Sequence, residues 1–209
     1  MKRGVLSFLA MLALASCTSS NEISFQDAKA RAQDILHQES HDSHLIAKRN
    51  EATIQTNEEE FRFSLADSYF ARISRMNPSA TYITQQDNGD YLCYTVDQNG
   101  NVSSDTNQET AQQTLNTLLK DYYSYLELPS SALDVLQNLS SEEESRIHHL
   151  SSKAKGDLSF EDQNGQETVS VSYHDYLPVS YESHSDTETV SVSYRFGNTN
   201  KTLPFSSNK

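Results

Sequence analysis

Apolar residues are spaced in three different ways along the 209-residue chain, and each spacing predicts a different kind of segment. From Val5 to Ala15 they are continuous apart from Ser7. A spanning helix needs about 20 apolar residues, so this run is too short to cross a bilayer and has the length of a secretory signal. From Ser24 the spacing becomes helical. Phe25, Ala28, Ala32 and Ile35 recur every three or four positions. Ser24 stands where a capping residue belongs and Asp27 falls in the first turn, which predicts a helix to about His37.

Alternation then takes over. The stretches EATIQT, FRFSLADSYFARISRM, TYITQQ and YLCYTV place apolar side chains at every second position, most clearly at Phe61, Phe63 and Leu65. Asn-Gly pairs in QDNGDY and DQNGNV mark hairpin turns between them. At Thr106 the period changes back. Thr106 to Glu109 has the form of a capping box, and Ala111, Leu115, Leu118, Leu119, Tyr122 and Leu126 make one apolar stripe. Pro129 is expected to end that helix. Two shorter helices are expected after it, one over Ala132 to Leu139 and one over Glu142 to Leu150, the latter capped by Ser140 and Glu143.

From Lys155 the pattern is β again to Phe205. Asn164-Gly165 marks a hairpin, and ETVSVSY occurs twice, at 167–173 and 188–194. In each copy the valines and the tyrosine point one way and the serines the other. The repeat is expected to be two neighbouring strands with the same amphipathic solution. Helix, strands, helices, strands predicts an α+β fold, with nine or ten antiparallel strands and helices on one face. A sheet of that size curls, and the helices are the material available to fill its concave side.

Charge and composition narrow the functions. The formal charge is −13, and loss of Lys2 and Arg3 with a cleaved signal makes it −15. That argues against nucleic acid and anionic headgroups as primary partners. There are two cysteines. Cys93 lies in a strand pattern with no local base or cation, so a buried, inert thiol is expected.

Cys17 is different. Leu14-Ala15-Ser16-Cys17 follows the basic and apolar regions and closely resembles the lipobox of bacterial lipoproteins. The resemblance implies a signal peptide over residues 1–16, cleavage before Cys17, and acyl chains on that cysteine. The lipidated N-terminus and a short tether then occupy 17–23, and the remaining length suits a single α+β domain over 24–209. Two or three chains, at about 0.8 kcal/mol per buried CH₂, hold a protein stably on a membrane where one would not. Thr18 is not the aspartate that favours inner-membrane retention. At about 3.4 Å per residue, the six residues from Thr18 to Ile23 reach roughly 20 Å, so the domain is expected close to the extracytoplasmic face of the membrane.

The order of elements resembles that of the LolA/LppX-like carrier lipoproteins. Their C-terminal pattern is matched by VSVSYHDYLPVSYESHSDTETVSVSYRFGNTNKTLPF. This resemblance implies an open half-barrel with helices packed on its concave face, and an apolar ligand such as a lipid between them. Its expected wall is Phe61, Phe63, Leu65, Val169, Val171, Val190 and Val192, facing Leu115, Leu118 and Leu119. The alternative is an envelope interaction module with a filled interior, which binds a protein or glycan.

Other constellations are weaker. His37, His41 and His44 have the i, i+4, i+7 spacing that could hold Zn²⁺ or Cu²⁺ on a continuous helix. The apolar stripe fades at Leu36, so a solvated helix end is the expected reading and no metal site is assigned. DQNGN and DQNGQ lack the closing glutamate and spacing of a calcium loop. No nucleophile elbow, zinc-protease helix, Cys-x-x-Cys pair or phosphate loop occurs, so no catalytic residue, cofactor or enzymatic activity is expected. The lipobox reading carries one direct test. Cys17→Ala should leave the precursor uncut and abolish labelling by a fatty-acid probe; unchanged labelling would contradict it.

Overall fold

The computed structural model describes residues 22–205 apart from Asn198, so the signal segment and Cys17 lie outside the described residues. The first helix, α1 (Phe25–His41), begins as its capping signal dictates: the Ser24 hydroxyl accepts from the Asp27 amide at 3.1 Å. It buries Phe25, Ala28, Ala32 and Ile35. It runs a turn beyond the expected end because its next inward position, Glu39, finds polar partners inside. Asp42 then stops α1 and caps a second helix, α2 (Ser43–Arg49), accepting from the amides of His44 and Leu45.

Six strands follow: β1 (Glu51–Thr56), β2 (Glu59–Ser64), β3 (Tyr69–Ser74), β4 (Ala80–Gln85), β5 (Tyr91–Val96) and β6 (Val102–Asp105). After a long helix, α3 (Gln108–Asn138), come β7 (Ile147–Ser151), β8 (Leu158–Asn164), β9 (Glu167–His174), β10 (Leu177–His184) and β11 (Thr189–Phe196). They form one open antiparallel sheet in the order β6-β5-β4-β3-β2-β1-β11-β10-β9-β8-β7. Two meanders are thus joined where the first strand pairs with the last. Eleven strands exceed the nine or ten expected. The short, wholly exposed β6 has little pattern to read, and β7 falls where a helix was expected.

Register explains the main core. Phe196, Ala52, Phe63, Phe70, Ile83 and Cys93 are paired directly across six strands, so all point to the same face. Ala111, Leu115, Leu118, Tyr122 and Leu126 of α3 cover that row. Tyr122 stacks on Phe63 with ring centroids 4.1 Å apart and donates to the Arg49 carbonyl at 3.0 Å. Such an aromatic pair contributes about 0.5–1.5 kcal/mol beyond its area. A second core joins Phe25, Ala28, Ala32 and Ile35 of α1 with Leu133 and Leu136 of α3, over Leu158, Phe160, Val171 and Tyr173. On the opposite face of the sheet, Tyr69, Ala71 and Tyr82 are covered by Leu203 and Phe205 from beyond β11. Lys201 pins that segment by pairing with Glu51 and Asp67.

Several expectations are corrected. Pro129 does not end α3; it is fully buried inside a helix of 31 residues. Proline removes the amide that would bond the carbonyl four residues back. Here the Tyr194 hydroxyl donates to that carbonyl, on Tyr125, at 2.7 Å. The expected helix over 132–139 is therefore the end of α3. The cap of α3 is Asn107, not Thr106, because its side chain accepts from the amides of Glu109 and Thr110. The expected helix over 142–150 is a short 3₁₀ turn (Ser141–Arg146) followed by β7. Ser140 and Glu143 do make their capping box. The Arg146 guanidinium then grips Asp162 through two bonds of 3.0 and 2.8 Å, and Ile147 pairs with Asp162 on β8. Pairing with the sheet outweighs local helix preference.

The two ETVSVSY segments do not adjoin: β9 and β11 flank β10. Val171 and Val192 both pair with Tyr181, which accounts for their shared pattern. The β9–β10 turn is made by Asp175 and Tyr176, both at positive φ (49° and 64°) without a glycine. Asp157 accepts from the Asp175 amide, and the Tyr176 amide donates to the Gly156 carbonyl at 3.0 Å, which holds the turn. Gly156 itself has φ +82°, and a Cβ there would meet Tyr176 at 2.7 Å.

The Pro129 arrangement predicts a coupled pair of variants. Tyr194→Phe should cost about 1–3 kcal/mol by leaving the Tyr125 carbonyl unpaired. In a Pro129→Ala background the restored amide should reduce that cost to below about 1 kcal/mol. Urea unfolding of the four-member cycle measures it, and equal costs in both backgrounds would contradict the account.

Candidate functional site

An open apolar cleft lies at the seam of the two helix-side cores. One wall comes from the second half of α3: Leu128, Ser131, Ala132 and Val135, at the spacing that shares a helix face. The other comes from three strands: Phe160 and Asp162 of β8, Val169 of β9 and Tyr181 of β10. Register explains the grouping, because Asp162 pairs with Val169, and Phe160 and Tyr181 both pair with Val171. The volume is about 170 Å³. Val135, at the mouth, is 46 % exposed, and Leu128 and Ala132 on the same helix face are only partly buried.

The cleft has one charged wall residue. Asp162 is buried, and Arg146 holds both of its carboxylate oxygens while also reaching Glu143 at 3.3 Å. Burial raises the Tyr181 phenol above its ordinary pKa; Ser183 lowers it and the Glu167 charge raises it further.

Elsewhere the helix side is tightly filled. A gap of only about 10 Å³ remains between Leu118, Tyr122 and the Phe61 to Ala71 hairpin. On the far side of α3, Glu39, Arg49, Ser130 and Tyr173 form a buried polar cluster. Glu39 lies 3.6 Å from Arg49 and accepts from Ser130 at 3.0 Å. Burial pushes its carboxyl above the usual range, against the pull of Arg49 and Ser130. The Tyr173 phenol is likewise raised, by burial first and then by Glu39. This cluster ties α1, α2, α3 and β9 together. A larger hollow, about 650 Å³, is polar and lies against the edge strand β7, next to Glu22 and Ile23.

The residues singled out from sequence separate as follows. Cys17 lies outside the described residues. Of the expected wall, Phe61, Phe63, Val190 and Val192 do pack with Leu115, Leu118 and Leu119. Val169 and Val171 belong to the second core instead, because β10 stands between them and the first. Leu65 is 41 % exposed: β2 ends at Ser64, so its alternation no longer applies. His37 and His41 stack with centroids 4.4 Å apart, but His41 Nδ1 is engaged by Ser40 and the His37 carbonyl. His44 lies beyond the break at Asp42, on α2. Among the described residues no group of three or more His, Cys, Asp or Glu could hold a metal. Asp97 in DQNGN binds the Asn99 and Asn101 amides of its own turn, and Asp162 in DQNGQ faces Arg146. Cys93 is buried and unbridged, and burial raises its thiol.

The cleft itself was not anticipated. Leu128, Ala132 and Val135 carry a signal that could have found it: they continue α3 as a second apolar stripe once Pro129 is allowed inside the helix. No family model matches the chain, and no curated protein matches it. No helix among the described residues is long and apolar enough to cross a membrane.

Proposed function

We propose that this is a non-enzymatic lipoprotein, anchored through Cys17 to the extracytoplasmic face of a bacterial membrane, and that it works by binding an apolar chain such as part of a lipid. The anchor rests on the lipobox, Leu14-Ala15-Ser16-Cys17. The binding role rests on one observation, the open apolar cleft between α3 and β8–β10. In this reading the eleven-stranded sheet is a curled half-barrel, as sheets of that width tend to be, with α1 and α3 on its concave face. The order of helix, six strands, helix and five strands supports the likeness to LolA/LppX-like carriers.

The size of the cleft sets what it can hold. Pockets that enclose a whole drug-sized ligand run from about 300 to 1,000 Å³. At about 170 Å³ this cleft suits one apolar chain segment. The filled interior beneath Leu118 and Tyr122 favours a second reading, an envelope module that binds a protein or glycan with no internal cavity.

Ala132→Phe should fill the cleft from its helix wall. The space is open, so the variant should unfold within about 1 kcal/mol of the parent. Native mass spectrometry should detect a lipid on the parent's soluble domain and none on the variant, and the variant should not bind an environment-sensitive alkyl probe. A parent with no co-purified lipid and no probe binding would overturn the carrier reading and leave the module.

A further inference from the structure

Resting on that reading, we infer that the cleft selects apolar ligands bearing a cationic head group and discriminates against anionic ones such as fatty-acid carboxylates. None of its lining residues is basic, and one, Asp162, is a buried acid. The guanidinium nearest to it is already committed, since Arg146 holds both oxygens of Asp162 and also reaches Glu143. Arg146 therefore neutralises the wall and offers nothing to an incoming anion.

A second acid stands just beyond the strand wall. Val169 pairs with Asp162 and with Ser183, and two positions further along the same face stands Glu167. Its carboxylate accepts from Ser183 at 3.0 Å, close enough to act on the Tyr181 phenol in the cleft wall. No basic residue pairs with Glu167 among the described ion pairs. A cationic head beyond Val169 would meet Glu167, while its alkyl chain lay between Ala132, Val135, Phe160 and Val169. An anionic head would be desolvated beside like charge.

Three amphiphiles that share one alkyl chain and differ in head group test this: a trimethylammonium, a maltoside and a sulfate. Each is titrated below its micelle concentration into the soluble domain, by calorimetry at low and at physiological salt. The trimethylammonium form should bind about tenfold more tightly than the sulfate at low salt, with the maltoside between them, and salt should narrow the gap. Glu167→Gln should reduce the ratio about two- to threefold. Ala132→Phe should abolish binding of all three, which separates the cleft from unspecific attraction to an acidic surface. Sulfate binding as tight as trimethylammonium, lost in Ala132→Phe, would overturn the head-group inference and keep the cleft. No binding by any of the three, or equal binding to Ala132→Phe, would overturn the cleft reading itself.

Discussion

The Tyr194 hydroxyl bonded to the Tyr125 carbonyl is a small interaction on which much of the structure depends. Without it, Pro129 would leave a vacant carbonyl in the middle of α3, at the seam of the two cores. With it, α3 runs on for 31 residues, about 46 Å at 1.5 Å per residue. The first half of its stripe, from Ala111 to Leu126, covers β1 to β5 and β11. The second half, Leu133 and Leu136, meets α1 over β8 and β9. One helix thus spans both meanders of the sheet. The cleft begins at Leu128, immediately before the proline, so its helix wall exists only because the helix continues.

Polar groups buried around the same point reinforce it. Ser130, next to the proline, binds Glu39 from α1, and Glu39 in turn faces Arg49 of α2. Burying a carboxylate is unfavourable unless it is paired, and here the pairing fixes how three helices meet. Among the described residues neither Glu39 Oε1 nor the Tyr173 hydroxyl makes a hydrogen bond of ordinary length, and Oε1 is held by the Arg49 charge at 3.6 Å instead. Breaking it by removing Arg49 would leave an uncompensated buried acid, which makes that arginine structural despite its place near the surface.

Much of the fold was legible in the chain because it rests on local signals. Ser24 capped where its spacing indicated, Asn-Gly pairs closed hairpins, and the alternation at Phe61 and Phe63 gave the correct face. What was missed depends on distant partners. Nothing near Pro129 in sequence announces Tyr194, some 65 residues later, as the donor that lets the helix pass. Ile147 to Leu150 has helical composition, yet the grip of Arg146 on Asp162 draws it into the sheet as β7. Val169 looked equivalent to Val190 because repeats share a pattern, but only topology shows that β10 separates them. The cleft was hidden for the same reason as the helix: its stripe from Leu128 to Val135 begins at the residue where the helix was expected to stop.

The central claim is that α3 is one structural unit through Pro129, coupling the two cores and building the cleft wall. Native-state hydrogen exchange, resolved along α3, tests it most directly. Amides from Leu115 to Leu126 and those from Leu133 to Leu136 should open with one shared free energy, equal to that of global unfolding. Rapid exchange of the segment after Pro129, at a much lower free energy than the segment before it, would contradict the account.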